Sequence, residues 1–310
     1  MPSEPAERSP SPNTAPPMVS PSAGRVYFSR GRAHLSPPRL VPEGVVTGRF
    51  SVLSPGTERR RMAATVSEPP SAAGYMSMGR DPRSGGWMIA PVAHGAPFEP
   101  DIDGAVVAPE GVSVHVAALA RFGQMALLGL DRLPARTDLD NAVVVGSGPV
   151  ALGCVLELRR RGVRQVRVLT RRAAPPIGHA PGAECVDRLP PGSGLVIDAV
   201  GDPGPIADAL SPGSVLGLLG TPEADVVLPA AVMHRGGWTV VGMHELAPMR
   251  TGSYQTAYHT VAAHLAETLP PDLIRVWCRT VPGERAPNVH ALLAGRGRPQ
   301  EPVIVFAWAP

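Results

Sequence analysis

"NAVVVGSGPVALGCVLELRRRGVRQVRVLTRR" occupies residues 141–172, and its reading decides the fold. An apolar run leads into a glycine turn, then into an amphipathic stretch, then into a second apolar run that ends at Thr170-Arg171-Arg172. Gly146, Gly148 and Ala151 form a GxGxxA pattern. The first glycine permits a tight turn, the second lets the backbone approach a pyrophosphate, and the small alanine lets helix pack on strand. Pro149 suits the first helical turn, where its missing N–H is not needed. The free N–H groups there, with their partial positive charge, favour an anion. On this reading Gly146, Ser147, Gly148, Pro149 and Val150 bind a dinucleotide.

The end of the second run bears on which one. A site for NAD usually places an acidic residue there, which bonds the ribose hydroxyls and repels a 2′-phosphate. Thr170 removes that repulsion, and Arg171 and Arg172 offer charge-assisted bonds to a phosphate. The stretch points to NADP(H). The alternative is a pair of solvated arginines in an arginine-rich chain.

Working outward, the spacing predicts strand 142–146, helix 149–161, strands 165–170 and 195–200, helix 204–210, and strands 214–220 and 238–242. Near-continuous apolar strands alternating with helices indicate a doubly wound parallel sheet. Residues 171–194 carry too many prolines for a full crossover helix, so a shortened helix or loop is expected. Before this region, "RVYFS", "GVVTGRFSVLS", "GGWMIAPV" and "GAVVAP" read as short strands broken by Pro and Gly. Helical periodicity starts at "VHVAALARFGQMALLGLDRL" and exits at Pro134. A helix near 253–268 and an extended "PVIVFAW" follow. "MPSEPAERSPSPNTAPPMVSPSAG" (1–24) is Pro/Ser-rich and is expected to be disordered.

Composition narrows the function. The chain of 310 residues has room for two domains, and its net charge of +3 lacks a dense basic block, so a nucleic-acid partner is not expected. All 29 Lys+Arg cations are arginine, which excludes a Schiff-base or P-loop lysine. Cys154, Cys185 and Cys278 are far apart and form no CxxC, arguing against a zinc lobe or a disulfide framework and for a reducing cytoplasm. No apolar run reaches membrane-spanning length.

With these pieces in view, the chain resembles the medium-chain dehydrogenase/reductase superfamily. "SVLSPGTE" (51–58) is similar to the strand and loop that enter the catalytic site in zinc-independent or zinc-lost members. "VIDAVGDPGPIADALSPGSVLGLLG" (196–220) resembles the fourth strand, helix and fifth strand of the cofactor domain, and "WTVVGM" the sixth strand. "VPGERAPNVHALLAGRGRPQEPVIVFAW" resembles the closing segment that returns to the catalytic domain. The resemblance implies an α/β fold: a doubly wound Rossmann sheet at 119–269 and a shortened β-rich GroES-like catalytic domain at 25–118, completed by 270–310. Hydride transfer would take place between them, and a homodimer is implied. Gly201 and Gly220, after the fourth and fifth strands, join the expected cofactor contacts. Many members hold a catalytic zinc through a Cys before "GTD", a His in "GHE" and a later Cys or acid. The corresponding places here read Ser54, Gly74-Tyr75-Met76, and the neighbourhood of Ala120 or Arg121, so no catalytic metal is expected.

Without a metal, a side chain must protonate the developing alkoxide. Glu58, Tyr75 and His94 are the candidates, against a surface carboxylate, a packing aromatic and a structural loop histidine respectively. Ser54, Gln124 and His244 are candidates for the substrate pocket; Gln124 has an exposed helix face as its alternative. The leading expectation is a zinc-independent NADP(H)-dependent ketoreductase acting on a specialised substrate such as a keto-sugar, aminocyclitol or other secondary-metabolite intermediate. A quinone- or enoyl-type C=C reductase and a non-catalytic nucleotide-binding module are the alternatives.

Overall fold

The computed structural model describes residues 20–21, 24–41, 44–222, 227–247, 253–295 and 297–308. The deciding stretch forms strand Ala142–Val145, helix Pro149–Arg160 and strand Val166–Leu169. The two strands pair in parallel, with Val144 opposite Val168. They lie at the centre of a six-stranded parallel sheet. Its order is Ala183–Val186, Val166–Leu169, Ala142–Val145, Leu195–Asp198, Val215–Leu218, Thr239–Gly242. The chain winds outward in both directions from Ala142–Val145, so a crevice opens at the carboxyl ends of that strand and Leu195–Asp198.

A second sheet gathers residues from both ends of the chain. Its order is Cys278–Pro282, Val303–Ala307, Phe50–Val52, Ser77–Arg80, Trp87–Ala90, Val106–Val107. Only the first two strands pair in parallel. Helix Val114–Leu130, buried from Val116 to Leu130, joins the two sheets. It has almost no polar face because helices Pro149–Arg160 and Ser253–Thr268 pack closely against it. A Cβ on Gly153 would lie 2.5 Å from the Phe122 carbonyl oxygen, and one on Gly123 2.6 Å from Val261 Cγ1. Glycine at these points lets the helices approach closer than any larger residue allows.

Several elements differ from the expectation. Helix 204–210 shrinks to Gly204–Ala207, because Pro203, Pro205 and Pro212 crowd the window. Residues 171–194 contain a 3-10 turn, Pro176–His179, and then an unforeseen strand, Ala183–Val186, on the sheet edge. Helix Pro55–Ala64 was not anticipated either; it starts with proline at its first position and is filled with good helix formers. Helices Ala230–Gly236, Pro271–Trp277 and Ala286–Ala294 and strand Cys278–Pro282 were also not anticipated. Of the N-terminus expected to be disordered, Ser20–Pro21 instead pairs with Leu40–Val41; residues 1–19, 22 and 23 lie outside the described residues. Cys154, Cys185 and Cys278 are all free. Among the described residues no helix is long and apolar enough to cross a membrane.

Candidate functional site

The crevice is a cavity of about 620 Å³. One wall is the glycine turn Gly146–Val150 with Leu169–Arg172; the other is the first turn of helix Pro55–Ala64 with Arg298–Pro299. Gly146 has φ +113°, and a Cβ on it would lie 2.8 Å from Val200 Cγ2. A side chain there is both strained and blocked. A Cβ on Gly148 would meet nothing within 4 Å, so the backbone there faces open space. The helix has no side-chain N-cap and carries proline at its start, leaving the Val150 and Ala151 N–H groups without intrahelical partners. Gly220 also lines the cavity. Gly201 does not: its φ of +85° and a would-be Cβ 2.1 Å from the Thr221 carbonyl mark a close crossing of two loops.

Beyond the turn the cavity is rich in guanidinium groups: Arg59, Arg60, Arg171, Arg172, Arg188 and Arg298. Arg59, Arg171, Arg188 and Arg298 make no hydrogen bond or ion pair among the described residues. Arg172 donates weakly to the Pro299 and Gln300 carbonyls at 3.3 and 3.4 Å, and its own N–H bonds Thr170 Oγ1 at 3.2 Å. Burial and the like charges of Arg59 and Arg172 lower the pKa of Arg298. These three cations stand near one another, and none of them makes an ion pair among the described residues.

At the other end stand Ser54, Thr57, Tyr75, His244 and Glu245. The Tyr75 hydroxyl donates to Ser54 Oγ at 2.8 Å. Burial raises the Tyr75 pKa, outweighing its bonds to Ser54 and Thr57, so the phenol keeps its proton. Sequence reasoning brought Ser54, Tyr75 and His244 to the cavity, and it missed what lies behind them. Arg121 is buried and donates from Nη2 to Glu245 Oε1 at 2.8 Å and to the Tyr254 hydroxyl at 2.6 Å. Its Nη1 donates to Gln124 Oε1 at 2.9 Å and also to Glu245 Oε2. Gln124 in turn donates to the Tyr254 carbonyl at 2.7 Å. Gln124 is fully buried with both ends of its amide engaged, so it is not in the cavity where it was expected. It braces helix Val114–Leu130 against Ser253–Thr268.

Glu58 and His94, expected as proton donors, are 0 % exposed and absent from the cavity wall. Glu58 lies between Thr57 and Arg59, which both line the cavity, but its own side chain is buried in the protein. His94 Nε2 lies 2.7 Å from Glu58 Oε2, and His290 Nε2 reaches the same oxygen at 2.9 Å. Burial alone would raise the Glu58 pKa; the two facing imidazole rings, through charge and hydrogen bonds together, overcome it and hold the carboxyl at about 2. His290 gave no signal in the sequence, where it is a lone histidine in "APNVHALL". Nothing local pairs it with a residue 232 positions away.

No family model matches the sequence, and no curated protein matches it. Solved structures do match. Alcohol dehydrogenase TADH from Thermus sp. ATN1 is 17% identical, over 92% of this chain and 100% of its own, with a TM-score of 0.70. Galactitol-1-phosphate dehydrogenase from Escherichia coli is 13% identical, over 92% of this chain and 99% of its own, at 0.70. The yhdH oxidoreductase from Salmonella enterica, solved with NADP, is 17% identical, over 93% of this chain and 100% of its own, at 0.62. The chain therefore has the fold of the medium-chain dehydrogenases and reductases, a Rossmann sheet joined to a GroES-like unit.

Proposed function

We propose that this chain is an NADP(H)-dependent oxidoreductase interconverting a ketone and an alcohol without a catalytic zinc. One observation carries the reading. At the end of the second strand, where an acidic residue would exclude a 2′-phosphate, Thr170 and Arg171 face the cavity, and Arg171 has no acidic partner among the described residues. An unpaired guanidinium beside an open phosphate turn favours a phosphorylated ribose. The neighbour solved with NADP supports a nicotinamide nucleotide in a fold of this kind.

The catalytic zinc that many proteins of this fold carry does not fit these residues. Zinc takes thiolate, imidazole or carboxylate ligands. Where the resemblance places them, the cavity offers the Ser54 hydroxyl and the Tyr75 phenol, with the Arg121 guanidinium buried behind. A fixed cation there opposes a second one.

Bound nicotinamide supplies or accepts the hydride. The chain's task is to hold the carbonyl and let a proton reach it. Ser54, at the cavity surface, hydrogen-bonds the substrate oxygen. Tyr75 keeps its own proton and holds Ser54 there across their 2.8 Å bond. The proton that completes the alcohol enters from solvent through the open cavity. Buried Glu58 and His94 do not touch the reacting atoms. Within this class we propose a specialised substrate, such as a keto-sugar, an aminocyclitol or another intermediate of secondary metabolism, including antibiotic biosynthesis. A cytoplasmic homodimer, paired through the edge strand Thr239–Gly242, completes the proposal.

Fluorescence titration with NADPH and NADH at fixed salt tests the reading, using the wild type, Arg171→Ala and Arg172→Ala. Each charge-assisted bond is worth roughly 1.5–3 kcal/mol, so loss of one should weaken NADPH binding about 10- to 100-fold. NADH binding should stay unchanged. Binding of neither nucleotide by the wild type would refute the enzyme reading. NADPH oxidation with ketones but not with enones separates carbonyl from C=C reduction.

A further inference from the structure

The buried group of Glu58, His94 and His290 takes no part in the cavity, yet its hydrogen bonds can be counted to a definite number of protons. All three side chains are 0 % exposed, so partners must come from the protein. Glu58 Oε2 faces His94 Nε2 at 2.7 Å and His290 Nε2 at 2.9 Å, while Oε1 accepts the Ser54 N–H at 2.7 Å. His290 Nδ1 lies 2.8 Å from the Ala286 carbonyl, which can only accept. The His290 ring thus has an oxygen acceptor against each nitrogen. With one N–H it would set a nitrogen lone pair against an oxygen lone pair in a site closed to solvent.

His94 is different. Its Nδ1 faces Ser51 Oγ at 2.8 Å, and Ser51 already accepts the Trp308 Nε1–H at 2.9 Å. The Ser51 hydroxyl proton is free for His94, which is then satisfied as the neutral ring with its proton on Nε2. One proton remains in the bond between Glu58 Oε2 and His290 Nε2. A carboxylate accepting three hydrogen bonds is strongly stabilised in its charged form, which places this proton on the ring.

We propose that Glu58, His94 and His290 form a buried clasp holding one extra proton on the His290 ring, and that this clasp positions Ser54, and through it Tyr75, at the cavity. The charges of His290 and Glu58 cancel, which suits a site closed by Phe28 and Phe306, whose ring centroids lie 5.2 and 5.9 Å from that of His290. The titratable neighbours facing the clasp are His94 itself and Tyr75, which feels the Glu58 charge from across Ser54. One carboxylate oxygen pins helix Ala286–Ala294 and the loop at His94; the other pins the Ser54 backbone, whose hydroxyl receives Tyr75. Glu58, His94 and His290 are therefore positioning residues.

The same set is one that zinc accepts, and its ligating atoms all lie within 4.8 Å of one another. The contacts of 2.7 and 2.9 Å are nevertheless hydrogen-bond lengths. Ligand atoms around a tetrahedral zinc with ~2.0 Å bonds stand about 3.3 Å apart.

Nitrogen NMR of the full-length, [15N]histidine-labelled protein at pH 8 tests the proposal. One of the nine histidines should show both ring nitrogens protonated, with N–H protons shielded from exchange. Glu58→Gln should abolish that signature, since an amide can give its oxygen to Ser54 and its NH₂ to both rings, leaving them neutral. The Ser54 amide proton should shift in His290→Gln. A wild-type spectrum with only singly protonated rings overturns the proton count, even if the variants fail to fold. Stoichiometric zinc in the purified protein overturns it as well, and an unmoved Ser54 amide overturns the positioning role. The role at the cavity rests on the proposed function, but these readouts need neither cofactor nor turnover, so the two readings fail separately.

Discussion

Acidification offers the sharpest energetic test of the buried carboxylate. An ordinary glutamate titrates near 4.5, and Glu58 is held at about 2. At about 1.4 kcal/mol per pH unit, the difference amounts to about 3 kcal/mol of folding free energy at neutral pH. The group is fully buried, so solvent screening takes little from it. A lowered carboxyl contributes fully above its unfolded value and loses that contribution as pH falls through its folded one. Linkage then predicts that about 2 kcal/mol disappears between pH 5 and pH 3 through this one group. Two measurements read it. Carboxyl-carbon NMR, with the Glu58 signal assigned by its absence in Glu58→Gln, should show this side chain still ionised at pH 3, when exposed glutamates are protonated. Urea unfolding over the same range should show the matching fall in stability. A Glu58 signal that titrates with the exposed glutamates would refute the reasoning, because the two imidazole rings could not then be outweighing burial.

Two further buried groups give predictions of opposite sign. Asp198 accepts the Val200 and Gly201 N–H groups with Oδ1, at 2.8 and 3.0 Å, while its buried Oδ2 has no hydrogen-bond partner among the described residues and burial raises its pKa. Asp198→Asn should leave the melting temperature at pH 7 unchanged or higher, with the gain shrinking on acidification as the wild-type carboxyl protonates; a clear fall at pH 7 would count against it. Arg121→Met leaves Glu245 without its guanidinium and should cost roughly 3–5 kcal/mol, most of it recovered in Arg121→Met/Glu245→Gln. Equal loss in single and double variants, measured by urea unfolding, would show that packing rather than the ion pair matters there.

How much was legible depended on whether a residue's partner is near in sequence. The turn "GSGPVALG" was readable because the strand, the glycines and the helix that give it meaning lie within one stretch, and Arg171 and Arg172 were readable because their place is fixed by the end of the next strand. Ala183–Val186 was not, since "AECV" at the sheet edge is exposed or half-buried and lacks the apolar run that marks inner strands. Helix Pro55–Ala64 was hidden for a similar reason: only Glu58 and Met62 are buried along it, so it carries no apolar stripe. Helix Val114–Leu130 is almost wholly apolar; its Gln124 read as lining the pocket or as part of an exposed face, and its Arg121 was named only near the place of a missing metal ligand. They are buried because polar groups of Glu245 and Tyr254, more than a hundred residues on, meet them.

The candidate site divides along the same line. Ser54, Tyr75 and the phosphate turn could be placed because the resemblance fixes where the two walls of the crevice meet. Glu58 and His94 were singled out correctly as unusual and given the wrong task, for a chemical reason. Carboxylate and imidazole are the residue types a proton relay needs, and they are equally the types that make a neutral buried ion pair. Residue type cannot tell these apart; exposure and the third partner can. A relay must reach solvent or substrate, and among the described residues the hydrogen bond that links Glu58 to the cavity wall is the one it accepts from the Ser54 backbone N–H, which holds a position but passes no proton on. Once His290 closes the other side, the group has no exit, and its effect on chemistry must pass through where Ser54 and Tyr75 are held.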